Sequence, residues 1–518
     1  MDFKKGKRLF LLLAVFLLSV AGAFAQEETE AIYKISGVSY DIRGLTKESA
    51  VNRIIKVDTE KKINSQKELE AYIANITSAL ENTRQFETVE ESHTFLAPED
   101  GITPVALTYT LKDSFHFLLL PFATYNSNSG LNIKLKVKDS NFLGLMEPLN
   151  ADINYSYDSS ENHHIGFNLG YAYPFTTGPL ENSFSNDFSF DWVIGSSEPN
   201  LSYSAGLSTA IPLGSQKLIV SFTQSLTKKT EYNQYNDGFY LTEKAGLSLP
   251  LSLGTLDGNI PVSYVPSVTF TYNWDPTDNI ISYSGLKGPT VSIDQSVSAS
   301  RINWKGNFRN GFSFTAGSGA AWNFNSESIS ANANIEIKLY KAWKYAAITS
   351  DIFVYTAYNT TTSITERLRG IRDSHVQRNT SQALVFNIDV PVHIVTTDWV
   401  NWGLKLFGPY EERNGFVKFL TWIPHKLFPY LDFELQIAPF IDVALTNNTA
   451  TGKTFSLKDG FYTAGLEVLV HPARWKSYVV RASFGVDVGR KVLGKFLETS
   501  WRNDISAWEL YIGIGLGY

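Results

Sequence analysis

The last eleven residues, Trp508 to Tyr518, constrain the fold of this chain more than any other stretch. Trp508, Leu510, Ile512, Ile514, Leu516 and Tyr518 are apolar, and Glu509, Tyr511, Gly513, Gly515 and Gly517 stand between them. Successive side chains of a β-strand point to opposite faces, so the segment has one greasy face and one small or polar face. Two settings accept such a strand: the wall of a membrane barrel, where lipid and lumen faces alternate, or the end of a soluble sandwich. The remainder of the chain separates them.

At the other end, Lys4, Lys5, Lys7 and Arg8 precede a largely apolar run from Leu9 to Val20, and Ala23-Phe24-Ala25 has the small-x-small form of a secretory cleavage site. The run is shorter than the roughly 20 residues of a spanning helix. The expectation is a signal peptide over residues 1–25 with Gln26 as the mature N-terminus; an uncleaved anchor is the alternative. Cleavage would remove four of the 45 basic and one of the 51 acidic residues. The mature chain would then carry a charge of roughly −9, which argues against a nucleic-acid partner. No later segment is apolar for long enough to form a helical span. The chain has no cysteine, so it forms neither disulfides nor thiolate metal sites. Aromatic residues make up 14% of it, which fits the interfacial girdles of a membrane barrel.

Residues 26–114 read as a small α+β domain. Tyr33, Ile35, Val38, Tyr40 and Ile42 alternate as a strand interrupted at Gly37. Thr46 is placed to cap a short helix carrying Val51, Ile54 and Ile55 on one side. Ser65 and Glu68 have capping-box spacing ahead of a stripe of Leu69, Tyr72, Ile73, Ile76 and Leu80. Strands around Phe86–Val89 and Val105–Leu111 complete a β-α-α-β-β order.

From Phe115 to Tyr518 the pattern changes to strands of about ten residues separated by polar turns. Leu384, Phe386 and Ile388 oppose Val385, Asn387 and Asp389; Leu435, Ile437, Ile441 and Val443 oppose Gln436, Ala438, Asp442 and Ala444. A soluble barrel shows the same period with its faces exchanged. The secretory start, the terminal aromatic and the length of the region favour the membrane barrel, with polar residues lining the lumen.

Three features here resemble the BamA/TamA superfamily of polypeptide-handling outer-membrane barrels. Asp139-Ser140-Asn141-Phe142-Leu143-Gly144 resembles the family's D-x-N-F-L-G turn after the second strand. Leu368-Arg369-Gly370-Ile371 resembles the V-R-G-F/Y motif of its sixth extracellular loop, with Ile371 in place of the aromatic. Asp389 and Asp442 match a pair of acidic residues on the strands that follow. The small domain, with Arg84-Gln85-Phe86-Glu87-Thr88-Val89 after its second helix, resembles a POTRA domain.

The resemblance implies a mainly β fold, a transmembrane antiparallel barrel of about 16 strands over residues 115–518 preceded by one POTRA-like periplasmic domain, whereas about eighteen candidate strands can be counted. Residues 239–250 and 308–322 are the surplus. It also implies a loop folded into the barrel, where Arg369 braces against Asp389 and Asp442, with Gly370 at the bend. Arg372 competes with Arg369 for that role, and Asp373 could pair with either. Ordinary solvated lumen charges are the plainer reading.

Pro121 in the first strand lacks a ladder donor, and Gly513, Gly515, Gly517 and Tyr518 end the last strand. Together they outline a weak lateral seam that would template client strands; a bulge proline and glycines that relieve lumen crowding fit the residues equally. Between the two acidic strands, residues 395–433 hold many aromatics, including Trp399, Trp402, Phe416, Phe419, Trp422 and Phe428. They read as an interfacial segment resting on the membrane leaflet, or as a disordered or lumen-packed insertion.

No enzyme signature is present: there is no G-x-S-x-G elbow, P-loop or H-E-x-x-H, and His163-His164 reads as a solvated loop pair rather than a metal site. The expected function is assembly of outer-membrane proteins by strand templating, without catalytic residues, cofactor or metal. The alternatives are a two-partner secretion transporter and a passive porin or adhesin. Expected partners are outer-membrane lipids, unfolded outer-membrane or secreted polypeptides, and accessory periplasmic proteins.

Overall fold

The computed structural model describes residues 32–514 except 127–129, 158–161, 215, 235–237, 257–258, 365–366, 372–378, 428–429, 475–478 and 504–505. The secretory segment, Arg372, Asp373, Phe428, Gly515, Gly517 and Tyr518 therefore lie outside the described residues.

The N-terminal unit is a four-stranded sheet with two helices: β1 (Ile32–Arg43), α1 (Glu48–Ile54), β2 (Lys62–Ile63), α2 (Gln66–Asn82), β3 (Phe86–Phe95) and β4 (Ile102–Asp113). The strands run in the order β2-β1-β4-β3, with β1 and β4 parallel. The β1 register slips between Ile35 and Gly37, where the sequence pattern breaks. Glu68 N–H donates to the Ser65 hydroxyl, so the expected cap starts α2, and its buried stripe is Leu69, Ile73, Ile76 and Leu80. Those residues close over Ile35, Ile63, Val105, Leu107, Tyr109 and Leu111 from the sheet. Two details differ from expectation. Lys47, not Thr46, sits at the N-cap of α1, and Ile54 is exposed while Ala50 and Val51 take the core. The Thr46 hydroxyl instead accepts a bond from Asn141 Nδ2.

The remaining strands form one closed antiparallel barrel of 21 strand segments. Three segments continue an interrupted neighbour: Leu251–Leu256 follows Phe239–Ser248, Val392–Thr396 follows Gln382–Asp389, and Lys453–Thr454 precedes Phe461–Pro472. Merged, they leave eighteen staves among the described residues, against the sixteen that the resemblance implies. The supposed surplus, Phe239–Ser248 and Phe308–Asn323, forms wall staves paired on both sides.

Alternation assigns the two faces. Ile153, Leu207, Phe222, Leu247, Ile293, Ile441, Leu466, Phe484, Trp508 and Leu510 are exposed on the outside, which is the apolar band of a transmembrane barrel. The terminal strand thus turns its greasy face to lipid and Glu509 to the interior, where it is buried. His163 and His164 correct the loop expectation. They open the strand His163–Thr177, with Nδ1 atoms 2.6 Å from the Tyr155 hydroxyl and 3.4 Å from the Asp191 carboxylate.

The wall has two unlike halves. Along strands between Leu149 and Ser248, the only buried residues among those described are Gly166 and Gly206. Between Ala347 and Asp487, the inward residues of successive staves are almost all buried. The difference lies in what covers them.

Candidate functional site: a loop clamped inside the barrel

The chain leaves the wall at Tyr358 and returns at Gln382. Ile364, Leu368 and Ile371 of this connection are fully buried against Phe353, Tyr355, Ala383, Val385, Ala444 and Phe461. An exposed loop would not bury three large aliphatic side chains, so this one is folded into the lumen.

Arg369 is its anchor and is 1% exposed. Its backbone N–H and Nε each donate to Asp442 Oδ2 at 3.0 Å, and Nη2 donates to Asp442 Oδ1 at 2.5 Å. Nη1 reaches Asp389 Oδ1 at 2.5 Å and Glu467 Oε2 at 3.4 Å. The guanidinium also lies 3.7 Å from the centre of the Phe440 ring. Asp389, Asp442 and Glu467 belong to three consecutive staves. A planar fork of five donors grips both oxygens of Asp442 and still reaches Asp389 and Glu467, whereas an ammonium with three donors has no such bidentate fork. Thr349 from a fourth stave donates to Asp389 Oδ2, and Arg481 from a fifth lies 3.8 Å from Glu467. The loop therefore staples five staves together.

Gly370 has φ +93°, and a Cβ there would stand 2.8 Å from the backbone of Gly485 and Val486. Gly485 would likewise strike Gly370. The paired glycines let loop and wall backbones touch. Gly370→Val and Gly485→Val are each expected to lower the temperature at which the heat-resistant folded form is lost. The double variant should fall by less than the sum of the two, since either side chain alone opens the shared contact. Additive losses would show that the glycines do not meet.

The structure brings Arg369, Gly370, Asp389 and Asp442 together, and adds residues that sequence reasoning missed. Glu467 and Phe440 complete the anchor. Arg367 makes a second one, with Nη2 at 2.8 Å from Glu336, Nη1 at 3.3 Å from Asp351, and its guanidinium 3.7 Å from the Phe353 ring centre. Asp351 could have been found, because it shares inward parity with Thr349 and Phe353. Another arginine, the fully buried Arg502, sits 3.2 Å from Asp487 in the segment joining the last two staves.

The seam follows directly. The barrel closes by placing Trp508–Ile514 beside Phe117–Asn126. Pro121 faces outward and pairs with Leu135, and Gly513 pairs with Arg481.

The turn after the second stave holds the small domain to the barrel. Asn141, 1% exposed, donates from Nδ2 to Thr46 Oγ1 at 2.6 Å and accepts from Met146 N–H at 2.8 Å. Asp113 Oδ2 accepts from Leu45 and Thr46 N–H. Arg53 pairs with Glu147 at 2.5 Å, Lys47 N–H donates to Gly144 O, and Met146 enters the small domain's core. A second contact forms at the hairpin turn near Gly306. Arg84 stacks 4.5 Å from the Trp304 ring centre, and burial lowers its pKa to about 10, so it keeps its charge at neutral pH.

No protein-family model matches the chain, and no curated protein sequence does. Solved structures do. It is similar to barrels of the CdiB and BamA type. CdiB from Acinetobacter baumannii superposes with a TM-score of 0.48 at 11% identity, covering 94% of this chain and 74% of that one. CdiB from Escherichia coli gives 0.40 at 8%, covering 95% and 91%. BamA from Haemophilus ducreyi lacking POTRA domains 1–3 gives 0.36 at 10%, covering 93% and 85%.

Proposed function

We propose that this chain is an outer-membrane barrel that assembles or inserts β-barrel proteins by templating client strands at its lateral seam. The observation that carries this reading is the uneven stiffening of the wall. The Arg369 clamp ties the staves from Ala347 to Asp487 to an inward loop, and the softer arc from Leu149 to Ser248 buries only Gly166 and Gly206 among its described strand residues. The seam lies in the short stretch between these halves, where Trp508–Ile514 stands beside Phe117–Asn126. Parting there exposes two strand edges, each able to accept an extended chain through main-chain hydrogen bonds.

The small domain is read as POTRA-like and periplasmic, with β3 as an edge strand for unfolded polypeptide clients or accessory periplasmic proteins. The chemistry needs no catalytic residue, nucleotide or metal.

A second reading, secretion of a partner polypeptide through the lumen, is favoured by the softer arc. Its inward face is polar, with Ser189, Ser202, Ser204 and Ser225 beside Asp152, Asn168 and Asp187. Depleting the protein and surveying outer-membrane composition separates the two. Broad loss of barrel proteins is expected for assembly, and loss of one exported product points to secretion. Altered solute uptake alone would overturn both.

A further inference from the structure

Between the staves bearing Asp389 and Asp442 stand two helices, Trp399–Phe407 and Gly415–Leu427. The segment is built, not loose. Asp398 caps the first helix through Asn401 N–H, and Asp432 Oδ1 accepts from Trp399 N–H at 2.9 Å. Trp399 Nε1 donates to Leu431 O at 3.0 Å, while Thr397 and Phe433 exchange bonds across the base. Arg413 closes the connection by donating twice to Gly408 O, and Asn414 caps the second helix through Val417 N–H.

This braced pair nevertheless leaves its largest side chains uncovered: Leu406 is 74% exposed, Phe416 72% and Phe419 79%. Helices of 9 and 13 residues are marginal in water without an apolar surface to lie on. The described contacts of the small domain go to the Asn141–Glu147 turn, to Glu181 and to the turn near Gly306, not to these helices. They leave and rejoin the wall at Val392–Thr396 and Phe433–Asn448, staves that carry the barrel's outer band. Ile394 and Leu431, at the base of the pair, are about half exposed, as are Ile441 and Leu466 on the neighbouring staves. Trp399, Trp402, Trp422 and Tyr430 belong to the residue types that settle at a lipid headgroup boundary.

We propose that the two helices are a lipid-binding surface, lying in the membrane leaflet at the small-domain end of the barrel with Leu406, Phe416 and Phe419 immersed. The occupant is phospholipid, entered from the barrel's own lipid-facing band. The inference rests on the barrel spanning a membrane and is independent of whether it assembles or secretes clients.

The chain has no cysteine, so Phe419→Cys in the full-length protein takes a single environment-sensitive fluorophore. The labelled protein is reconstituted into phosphatidylcholine vesicles and its heat-resistant migration is checked. A probe about 5–10 Å into the headgroup–acyl boundary should lose most of its emission to bromine-labelled acyl chains and little to aqueous iodide. A probe at Glu411→Cys, whose side chain is 89% exposed between the helices, should show the reverse. Quenching of the Phe419 probe by iodide alone overturns the proposal. Protection from both quenchers also overturns it, because protein and not lipid would then cover the face. Leu406→Cys and Phe416→Cys repeat the measurement if Phe419→Cys does not fold.

Discussion

Arg369→Ala should leave the chain exported but sharply reduce its heat-resistant folded fraction. The substitution strands three carboxylates, Asp389, Asp442 and Glu467, in an interior where Arg369 is their shared partner. Removing one member of a buried ion pair typically costs about 3–5 kcal/mol, because the remaining charge keeps its desolvation penalty without its compensation. Arg481 lies 3.8 Å from Glu467 and can relieve part of that cost. Arg369→Lys should recover only a fraction, since an ammonium lacks the planar fork that holds both oxygens of Asp442 while reaching Asp389. Raising salt should change the wild-type melting midpoint little, because the pair is shielded from mobile ions. Migration on gels without boiling, followed against temperature, measures all three effects. An alanine variant that melts with wild type and supports function would remove the clamp from any account of this barrel.

Alternation was enough to place Asp389 and Asp442 on the lumen face, because period two is a local property of each strand. It was also enough to turn Trp508, Leu510 and Ile512 toward lipid. The path of the loop was not legible in the same way. That Arg367 joins Arg369 depends on where an aperiodic segment bends, and it is set by Asp351 and Glu336 on staves that precede the loop. Thr46 misled for a related reason: its local pattern fits a helix cap, but its hydroxyl is held by Asn141, 95 residues away. Phe239–Ser248 and Phe308–Asn323 carry the same alternation as their neighbours, and the structure uses both as wall. Counting strands from the pattern came closer than counting them from the resemblance. The glycine contact between Gly370 and Gly485 had no signal of its own, since nothing in a strand glycine states which backbone will approach it.

Gly144→Val should release the small domain from the rim while leaving the barrel intact. Gly144 has φ +72°, and a Cβ there would stand 1.9 Å from Leu45 O. The left-handed backbone alone costs a side chain about 1–2 kcal/mol, and the collision is with backbone, which has little room to yield. The turn must therefore shift, breaking the bond from Lys47 N–H to Gly144 O and pulling Met146 from the small domain's core. None of these contacts involves Arg369 or its carboxylates, so heat-resistant migration should match wild type. What should change is the opening of the connection at residues 114–116, read as the rate of limited proteolysis there. Each 1.4 kcal/mol lost from docking raises the open population about tenfold. Gly178 supplies the control: its φ is +59°, with nothing within 4 Å of a Cβ. Gly178→Asn should be cut at the wild-type rate, since asparagine tolerates this backbone and meets no neighbour. If Gly144→Val is cut no faster than Gly178→Asn, the Asn141–Glu147 turn is not what holds the domain, and the contacts at Glu181 and at Arg84 and Trp304 must carry the docking.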